Sequence, residues 1–319
     1  MASTLPGRIL GVDAGGSRTR VVVLEGGQVR AQPDGPPMNA LLTAGFTDEL
    51  QRIIAAVGPA AAGVGLPGVR ATGQARHLSQ VLARQAGCPV HVTGDADPAR
   101  HGAFLGAPGI VVIAGTGSAA LGWDGERFAH AGGHGFVLGD EGSAYWIGRE
   151  AVRAALRWQD QTGGSDLIHR TVTQATTPDL ELLISEVNAH PSDRSRLAAL
   201  APAVTAIAPH DPQAARDPDA ARDPDAVCDP EAGRIVRCAA EHLAGLAESI
   251  RRRLGPLPVA GAGGVFCAPA LWARFADLTG ATRPLAPAEV GAALLAATCT
   301  PSSPSASCSF HANSAPPTG

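Results

Sequence analysis

Four short segments of the chain combine carboxylates, hydroxyls and glycines in patterns that suit phosphate chemistry. The first, GVDAGGSRTR at residues 11–20, brings Asp13 to the end of an apolar run and then turns on glycines. Glycine lets backbone N–H groups approach phosphate oxygens, and nearby hydroxyls add donors. Asp13 could hold Mg²⁺ through water, because hard cations prefer oxygen ligands. A hairpin turn that binds nothing is the alternative. The predicted phosphate ligands are Gly15, Gly16, Ser17 and Thr19.

A second segment, IAGTGSAALGW at residues 113–123, repeats the same design. Its predicted phosphate ligands are Thr116, Gly117 and Ser118. Two such turns in one chain are more specific for a polyphosphate than either turn alone. A third segment, PVAGAGGVFCAPAL at residues 258–271, ends a strand in a glycine turn whose backbone can pack against adenine. It is not a GxGxxG sequence, which disfavours a dinucleotide-binding fold. The glycines of this turn are Gly261, Gly263 and Gly264.

The fourth segment, VHVTGDADPARHG at residues 90–102, carries a candidate general base. Asp95 follows a predicted strand and precedes a predicted helix. In phosphoryl transfer, such an Asp accepts the proton of the acceptor hydroxyl. Asp97 competes for this role, but an Asp directly before Pro98 is more typical of a helix N-cap. We therefore predict that Asp95 is the base.

Two adjacent acids, Asp140 and Glu141, stand in the segment GDEGSAYWIG at residues 139–148. They could serve acid/base chemistry, a metal, a sugar hydroxyl or a helix start. Side chains of neighbouring residues usually point apart, so separate roles are expected. Glu141 lies just ahead of Ser143 at a predicted helix start, where a carboxylate suits the helix dipole.

The elements that must position these residues alternate between strands and helices, which indicates α/β lobes around mixed sheets. A strand, a glycine turn and a second strand occur near the start of the chain and again near residue 110, which suggests an internal duplication. Helices are predicted over residues 47–58, with Thr47 as N-cap, and over 143–158, 179–188 and 192–207. A long helix is predicted to begin with Asp229 as N-cap and Pro230 at its first position.

Composition excludes several classes of protein. The chain has 319 residues and a net charge of −4, which argues against nucleic-acid and membrane-surface binding. All 25 basic residues are arginine, so a Walker-A lysine and a Schiff-base lysine are both excluded. We see neither a long apolar run nor a signal peptide. The six cysteines include no CxxC pair, so we expect reduced thiols in the cytoplasm rather than a zinc or iron–sulfur site.

Two segments look non-structural. Hexads beginning with Asp-Pro repeat from Asp211, and we expect a low-complexity insertion at 209–228. A solvated linker and a partner-binding strip are the alternatives for it. Residues 300–319 are rich in Ser and Pro and are expected to be disordered.

In their order along the chain, the segments GVDAGGSRT, TGDADPA, IAGTGS, GGHGFVLGDEGSAYWIG and GAGGVF resemble N-acetylglucosamine kinases and the related BadF/BadG/BcrA/BcrD ATPase family. These belong to the actin/hexokinase/Hsp70-like superfamily, and the resemblance covers roughly residues 8–298. It implies an α/β fold of two ribonuclease-H-like (actin-like ATPase) lobes with a cleft between them. The expected lobes are residues 1–105, with helix 287–298 packing back on them, and residues 106–286.

The resemblance also implies a kinase that uses ATP and Mg²⁺ to phosphorylate an amino sugar, N-acetylglucosamine or glucosamine, as a homodimer. Asp95 would be the base for the sugar 6-hydroxyl, and Asp13 the acid associated with Mg²⁺. The glycine turn at 261–264 would contact adenosine. The residues that would contact the sugar are Asn39, Asp95, Gly133, His134 and Asp140.

Departures from the family pattern leave alternatives open. His134 stands where animal N-acetylglucosamine kinases have Trp, which leaves glucosamine or another amino sugar as an alternative substrate. His130 and His134 are four residues apart, but the glycine-rich stretch between them favours a loop or a sugar contact over a metal site. A nucleotide-gated ATPase that activates a protein partner is the main alternative function. The branch that activates dehydratases carries cluster-binding cysteines, which are missing from these motifs.

Overall fold

The computed structural model describes residues 7–15, 18–40, 43–69, 72–190, 192–209 and 228–298. The predictions for Gly16, Ser17, residues 210–227 of the insertion and the tail at 300–319 lie outside the described residues. The described chain divides into two compact units. The first runs through Ala107 and resumes at Leu285, and the second is Pro108–Pro284.

The first unit is built on a sheet whose strand order is β3-β2-β1-β4-β5 within the described chain. An antiparallel meander of β1, β2 and β3 is followed by parallel pairing of β1 with β4 and of β4 with β5. Strand β3 was not anticipated from the sequence. The elements are β1 (Ile9–Ala14), β2 (Thr19–Glu25), β3 (Gln28–Ala31), α1 (Phe46–Val57), β4 (Ala61–Gly65), α2 (Thr72–Ala86), β5 (Val90–Thr93), α3 (Ala96–Phe104) and, from the end of the chain, α11 (Ala288–Thr298).

Helix α11 packs unusually close to the sheet and to α3. The side chains of β1 alternate between the two faces of the sheet. Leu10 and Val12 face a core shared with α1 and α2, whereas Ile9 faces α11. Glycines allow the approach to α11: a Cβ at Gly11 would lie 2.0 Å from the Glu289 carbonyl oxygen, and one at Gly63 would lie 1.9 Å from the Ala292 carbonyl oxygen. Helix α11 can therefore lie this close to the sheet only because Gly11 and Gly63 have no side chains.

The second unit is built on a sheet of strand order β8-β7-β6-β9 within the described chain. Its meander of β6, β7 and β8 and its parallel β6–β9 pair repeat the plan of the first sheet. Strand β8 and helix α5 were not anticipated. The elements are β6 (Gly109–Ala114), β7 (Ser118–Trp123), β8 (Phe128–Gly132), α4 (Ala144–Gln159), α5 (Asp166–Ala175), α6 (Leu180–Ala189), α7 (Ser195–Ala198), α8 (Ala201–Ala206), α9 (Pro230–Leu254), β9 (Val259–Ala262) and α10 (Pro269–Thr279).

Helix starts agree with the sequence in part. The predicted cap of α9 is confirmed, because the Asp229 carboxylate accepts the Ala232 N–H at 2.8 Å. The prediction of Thr47 as the cap of α1 is wrong, since that helix begins at Phe46 after Gly45 in a left-handed conformation. The helix expected over 192–207 is two shorter ones. Among the described helices, none is both long and apolar enough to span a bilayer.

Candidate functional site

The first glycine turn joins β1 to β2 at the carboxyl end of β1. The Gly15 N–H donates to the Arg18 carbonyl at 3.0 Å, and the Met38 N–H donates to the Gly15 carbonyl at 3.2 Å. Met38 is buried, and Asn39 beside it exchanges backbone and hydroxyl hydrogen bonds with Thr43. The turn and Asn39 are thus held together within the first unit.

Thr19 does not match its predicted role as a phosphate ligand. It is fully buried, and its hydroxyl donates to the Pro36 carbonyl at 2.6 Å. Its backbone N–H donates to the Gly35 carbonyl at 3.0 Å, and its carbonyl accepts the Gly35 N–H at 2.8 Å. The structure therefore assigns Thr19 to holding the start of β2 against residues 35–36.

Asp13 is a partly buried acid with an unusual proton affinity. Burial, then the charges of Glu289 and Asp95, raise the pKa of Asp13 to about 7, against the opposing effect of Arg20. The Arg20 guanidinium lies 3.5 Å from the carboxylate, within ion-pair distance but at the limit of a hydrogen bond, and it is itself half exposed. Asp13 therefore sits in a negative environment that a divalent cation would relieve.

Asp95 stands at the N-cap position of α3, just beyond the carboxyl end of β5. Because β1, β4 and β5 run parallel, Asp13 and Asp95 come from the same edge of the sheet, where ligands bind in open α/β folds. Asp95 is exposed, whereas Asp97 is 8 % exposed and lies in the first turn of α3. The prediction of Asp97 as the N-cap is wrong, but accessibility still favours Asp95 as the base.

Glu289 is a functional candidate that the sequence reasoning missed. It lies in the first turn of α11, on the face of β1 that also carries Asp13. The residue is 9 % exposed, and within the described chain its Oε2 atom has no hydrogen-bond partner. Only an acid in the first turn of the predicted final helix could have drawn attention to it.

The second glycine turn is anchored to the start of α4. The Ala144 N–H donates to the Gly115 carbonyl at 2.8 Å, and the Gly115 N–H donates to the Gly117 carbonyl at 2.9 Å. Thr116 and Gly117 remain partly exposed. Ser118 differs from its prediction: it is buried, and its hydroxyl donates to the Glu141 carbonyl at 2.7 Å. Thr116 and Gly117 are left as the candidate phosphate contacts of this turn.

Asp140 is buried against this turn. Its Oδ1 accepts the Ser118 N–H at 3.3 Å, and its Oδ2 lies 3.3 Å from Arg194 Nη1. The residue is 4 % exposed and adopts a left-handed conformation with φ of 62°. Each carboxylate oxygen has further lone pairs, so the sugar contact predicted for Asp140 stays a prediction.

The residues that follow Asp140 have structural roles. The Ser143 hydroxyl caps α4 by accepting the Trp146 N–H at 3.2 Å, which gives the helix the start predicted from sequence. Trp146 is buried against the core of the second unit, and Tyr145 meets Phe136 edge-on at 5.4 Å between ring centroids. Glu141 supplies its carbonyl to Ser118, so its contribution to the turn comes from its backbone.

The third glycine turn follows β9 and lies beside the second, because β9 and β6 are parallel neighbours. A Cβ at Gly263 would lie 2.3 Å from the Ala114 carbonyl oxygen, just before the second turn. Gly261 does not fit its predicted adenosine contact, since it is buried and a Cβ there would lie 2.9 Å from the Trp272 ring. Gly263 and Gly264 are exposed and remain candidates.

The loop after β8 carries Gly133 and His134. The Gly133 N–H donates to the Ser118 carbonyl at 2.9 Å, which joins this loop to the second turn, and His134 is exposed. His130 lies on β8 rather than in the loop. Within the described residues, no group of three or more His, Cys, Asp or Glu side chains could hold a metal. A cation at Asp13 would therefore need phosphate and water ligands as well, which suits Mg²⁺.

Comparisons with known proteins agree with this arrangement. A sequence profile of the BadF/BadG/BcrA/BcrD ATPase family matches residues 10–217. The chain is 44 % identical over 78 residues to an N-acetylmuramic acid/N-acetylglucosamine kinase of Clostridium acetobutylicum, over 24 % of this chain and 26 % of that protein. It is 38 % identical over 79 residues to an N-acetyl-D-glucosamine kinase of Dictyostelium discoideum, over 24 % of each.

The aligned segments span about a quarter of these two curated relatives, 26 % and 24 %. The similarity of fold extends much further. A solved structure from Chromobacterium violaceum, of a candidate N-acetylglucosamine kinase, superposes with a TM-score of 0.67 at 25 % identity. That superposition covers 91 % of this chain and 99 % of the other. The two-sheet α/β fold is therefore that of the actin-like sugar kinases, as the sequence predicted.

Proposed function

Because the chain belongs to the BadF/BadG/BcrA/BcrD ATPase family, we propose that it is an ATP-dependent kinase that phosphorylates the 6-hydroxyl of an amino sugar, N-acetylglucosamine or glucosamine. One observation carries the proposal: exposed Asp95 and partly buried Asp13 come from the same edge of the first sheet, in a setting that raises the pKa of Asp13. The names of the similar proteins, which are N-acetylglucosamine kinases, support the choice of sugar.

In this proposal, Asp95 accepts the proton of the sugar hydroxyl as the phosphoryl group is transferred. Asp13 would hold the divalent cation through water, and Glu289 would add negative charge nearby. Mg²⁺, when bound with ATP, supplies charge neutralisation to the phosphates. The proposed phosphate contacts are Gly15 in the first glycine turn, and Thr116 and Gly117 in the second.

The sugar contacts are part of the same proposal. Asn39, held beside the first turn, and Asp140, Gly133 and His134, held beside the second, are the proposed contacts. The identity of the sugar rests on His134 and its surroundings, so glucosamine stays open beside N-acetylglucosamine. A cytoplasmic location, where ATP is available and thiols stay reduced, and the homodimer belong to the proposal as well.

The experiment is a panel of N-acetylglucosamine, glucosamine, N-acetylmuramic acid, N-acetylmannosamine and glucose, with ADP release and phosphosugar both measured. We expect turnover with at least one amino sugar. Asp95→Asn should lower kcat by about 10²-fold or more while ATP still binds, since a general base contributes that much. Asp48→Asn, which removes an exposed acid from the first turn of α1, serves as the matched control and should leave turnover unchanged.

Two results would contradict the proposal in different ways. Release of ADP without any phosphosugar would favour the alternative, a nucleotide-gated ATPase that acts on a protein partner. A normal rate for Asp95→Asn would leave the kinase intact and remove Asp95 as its base.

A further inference from the structure

The second glycine turn has a charged support that no sequence motif indicated. A Cβ at Gly117 would lie 2.9–3.0 Å from all three carboxyl atoms of Asp140, so this side chain lies directly against the turn. Asp140 also accepts the N–H of Ser118 at 3.3 Å. Its left-handed backbone is unfavourable for a residue other than glycine and persists only where the surroundings hold it.

A carboxylate at 4 % exposure requires a counter-charge, because burial without one is costly. Arg194 supplies it at 3.3 Å, from a residue 54 positions along the chain. Its side chain is 31 % exposed, and its guanidinium also lies 5.7 Å from the Phe136 ring centroid. Phe136 in turn meets Tyr145 of α4, so Arg194 is fixed by both a charge and a ring.

The other anchors of the turn do not involve charge. The Ser118 hydroxyl donates to the Glu141 carbonyl, and the Ala144 N–H donates to the Gly115 carbonyl. These bonds can keep the turn folded without Arg194. What the arginine adds is control of the Asp140 carboxylate, which would turn towards water if its counter-charge were removed. That movement would release the Ser118 N–H.

We propose that Arg194 is a positioning residue for the nucleotide, which acts through Asp140 to hold the Thr116–Gly117 turn in the shape that receives the ATP phosphates. This inference rests on the proposed function of the turn. A residue that only stabilises the fold would affect the whole unit when it is replaced. Loss of Arg194 should change one turn, while the hydrogen bonds between uncharged groups of that turn remain.

The test compares Arg194→Gln with Arg194→Lys. The Kd of AMPPNP is measured by calorimetry, and the KM values for ATP and for the sugar are measured at steady state. Arg194→Gln should raise the Kd of AMPPNP, measured without sugar, and the KM for ATP about tenfold, the size of effect that outer-shell partners have in metal sites. The KM for the sugar should rise as well, because Asp140 is also a proposed sugar contact. Arg194→Lys keeps a charge for the single contact with Asp140 and should stay close to the original protein. Arg196→Gln is the matched control. Arg196 lies two residues after Arg194 and forms an ion pair with Glu186 instead of Asp140.

An unchanged Kd for AMPPNP in Arg194→Gln would overturn the inference, even if that variant were less stable. A rise confined to the sugar KM would also overturn it, because Asp140 would then act on the sugar alone. If the original protein phosphorylates no sugar but Arg194→Gln still weakens AMPPNP binding, the kinase proposal fails and the inference about the nucleotide turn is supported.

Discussion

Replacement of Gly291 by Ala tests whether the final helix depends on close backbone contact. A Cβ at Gly291 would lie 2.0 Å from the Pro98 carbonyl oxygen and 2.5 Å from the Gly102 nitrogen. Both atoms belong to the backbone of α3 and cannot rotate away. To reach an ordinary contact of 3.4 Å, α11 and α3 would have to separate by about 1.4 Å. That shift would loosen Val290 and Ala293 in the core they share with β1.

The magnitude follows from two opposing effects. Ala gains about 1 kcal/mol over Gly in a helix interior. Overpacking against immovable atoms costs about 3 kcal/mol, at the upper end of the usual range. We therefore expect Gly291→Ala to lower the free energy of unfolding by about 2 kcal/mol, the difference between these two effects.

Gly245 offers a matched control in the interior of α9. A Cβ there would meet no described atom within 4 Å, so Gly245→Ala should gain the propensity term alone and stabilise by up to about 1 kcal/mol. Urea unfolding followed by far-UV circular dichroism gives both values. Hydrogen exchange of peptides from β1 and α3 shows whether the loss lies in the first unit. If Gly291→Ala is as stable as the original protein and its exchange is unchanged, the close contact does not constrain the helix as argued.

Three further predictions concern other parts of the chain. Burial, with a smaller effect of the neighbouring Arg100, lowers the pKa of His101 to about 4. Between pH 4 and the ordinary pKa of 6.5, only the unfolded chain binds the proton, so the free energy of unfolding should fall by about 1–2 kcal/mol as the pH drops through this window. His101→Gln should flatten this dependence of stability on pH, which thermal unfolding measures. Glu289→Gln should weaken the binding of Mn²⁺ to the AMPPNP complex about threefold or more, because a negative charge near Asp13 is lost; electron paramagnetic resonance of free Mn²⁺ measures this, and an unchanged Kd would contradict it. Asp229→Ala should cost about 1 kcal/mol in urea unfolding through the lost cap of α9, while Asp229→Asn should cost less.

Local sequence patterns predicted much of the fold. The paired strands around each glycine turn and the cap of α9 follow from signals within a few residues, and they are present. The patterns did not predict β3 and β8, the outer strands of the two meanders. Strand β3 is exposed throughout and β8 is rich in glycine and alanine, so neither carries a strong apolar alternation.

The sequence predicted which residue types the candidate site contains, but not the direction in which each side chain points. Glycine turns with hydroxyls indicate phosphate binding, yet Thr19 and Ser118 point their hydroxyls into the fold, where carbonyl oxygens from distant segments accept them. Arg194 and Glu289 could not be found from spacing, because their partners Asp140 and Asp13 are brought to them only by the tertiary fold. Charge pairs between distant segments leave no periodic trace in a sequence.

The return of α11 to the first sheet sets an order of events during synthesis. The second unit is continuous, so all of its residues have left the ribosome before residues 288–298 do. Until then, the face of the first sheet that includes Ile9, Val22 and Leu24 has no covering helix. The nascent first unit therefore carries an exposed apolar face for the whole time in which the second unit is made, and chaperone binding to ribosome-bound intermediates should be concentrated there.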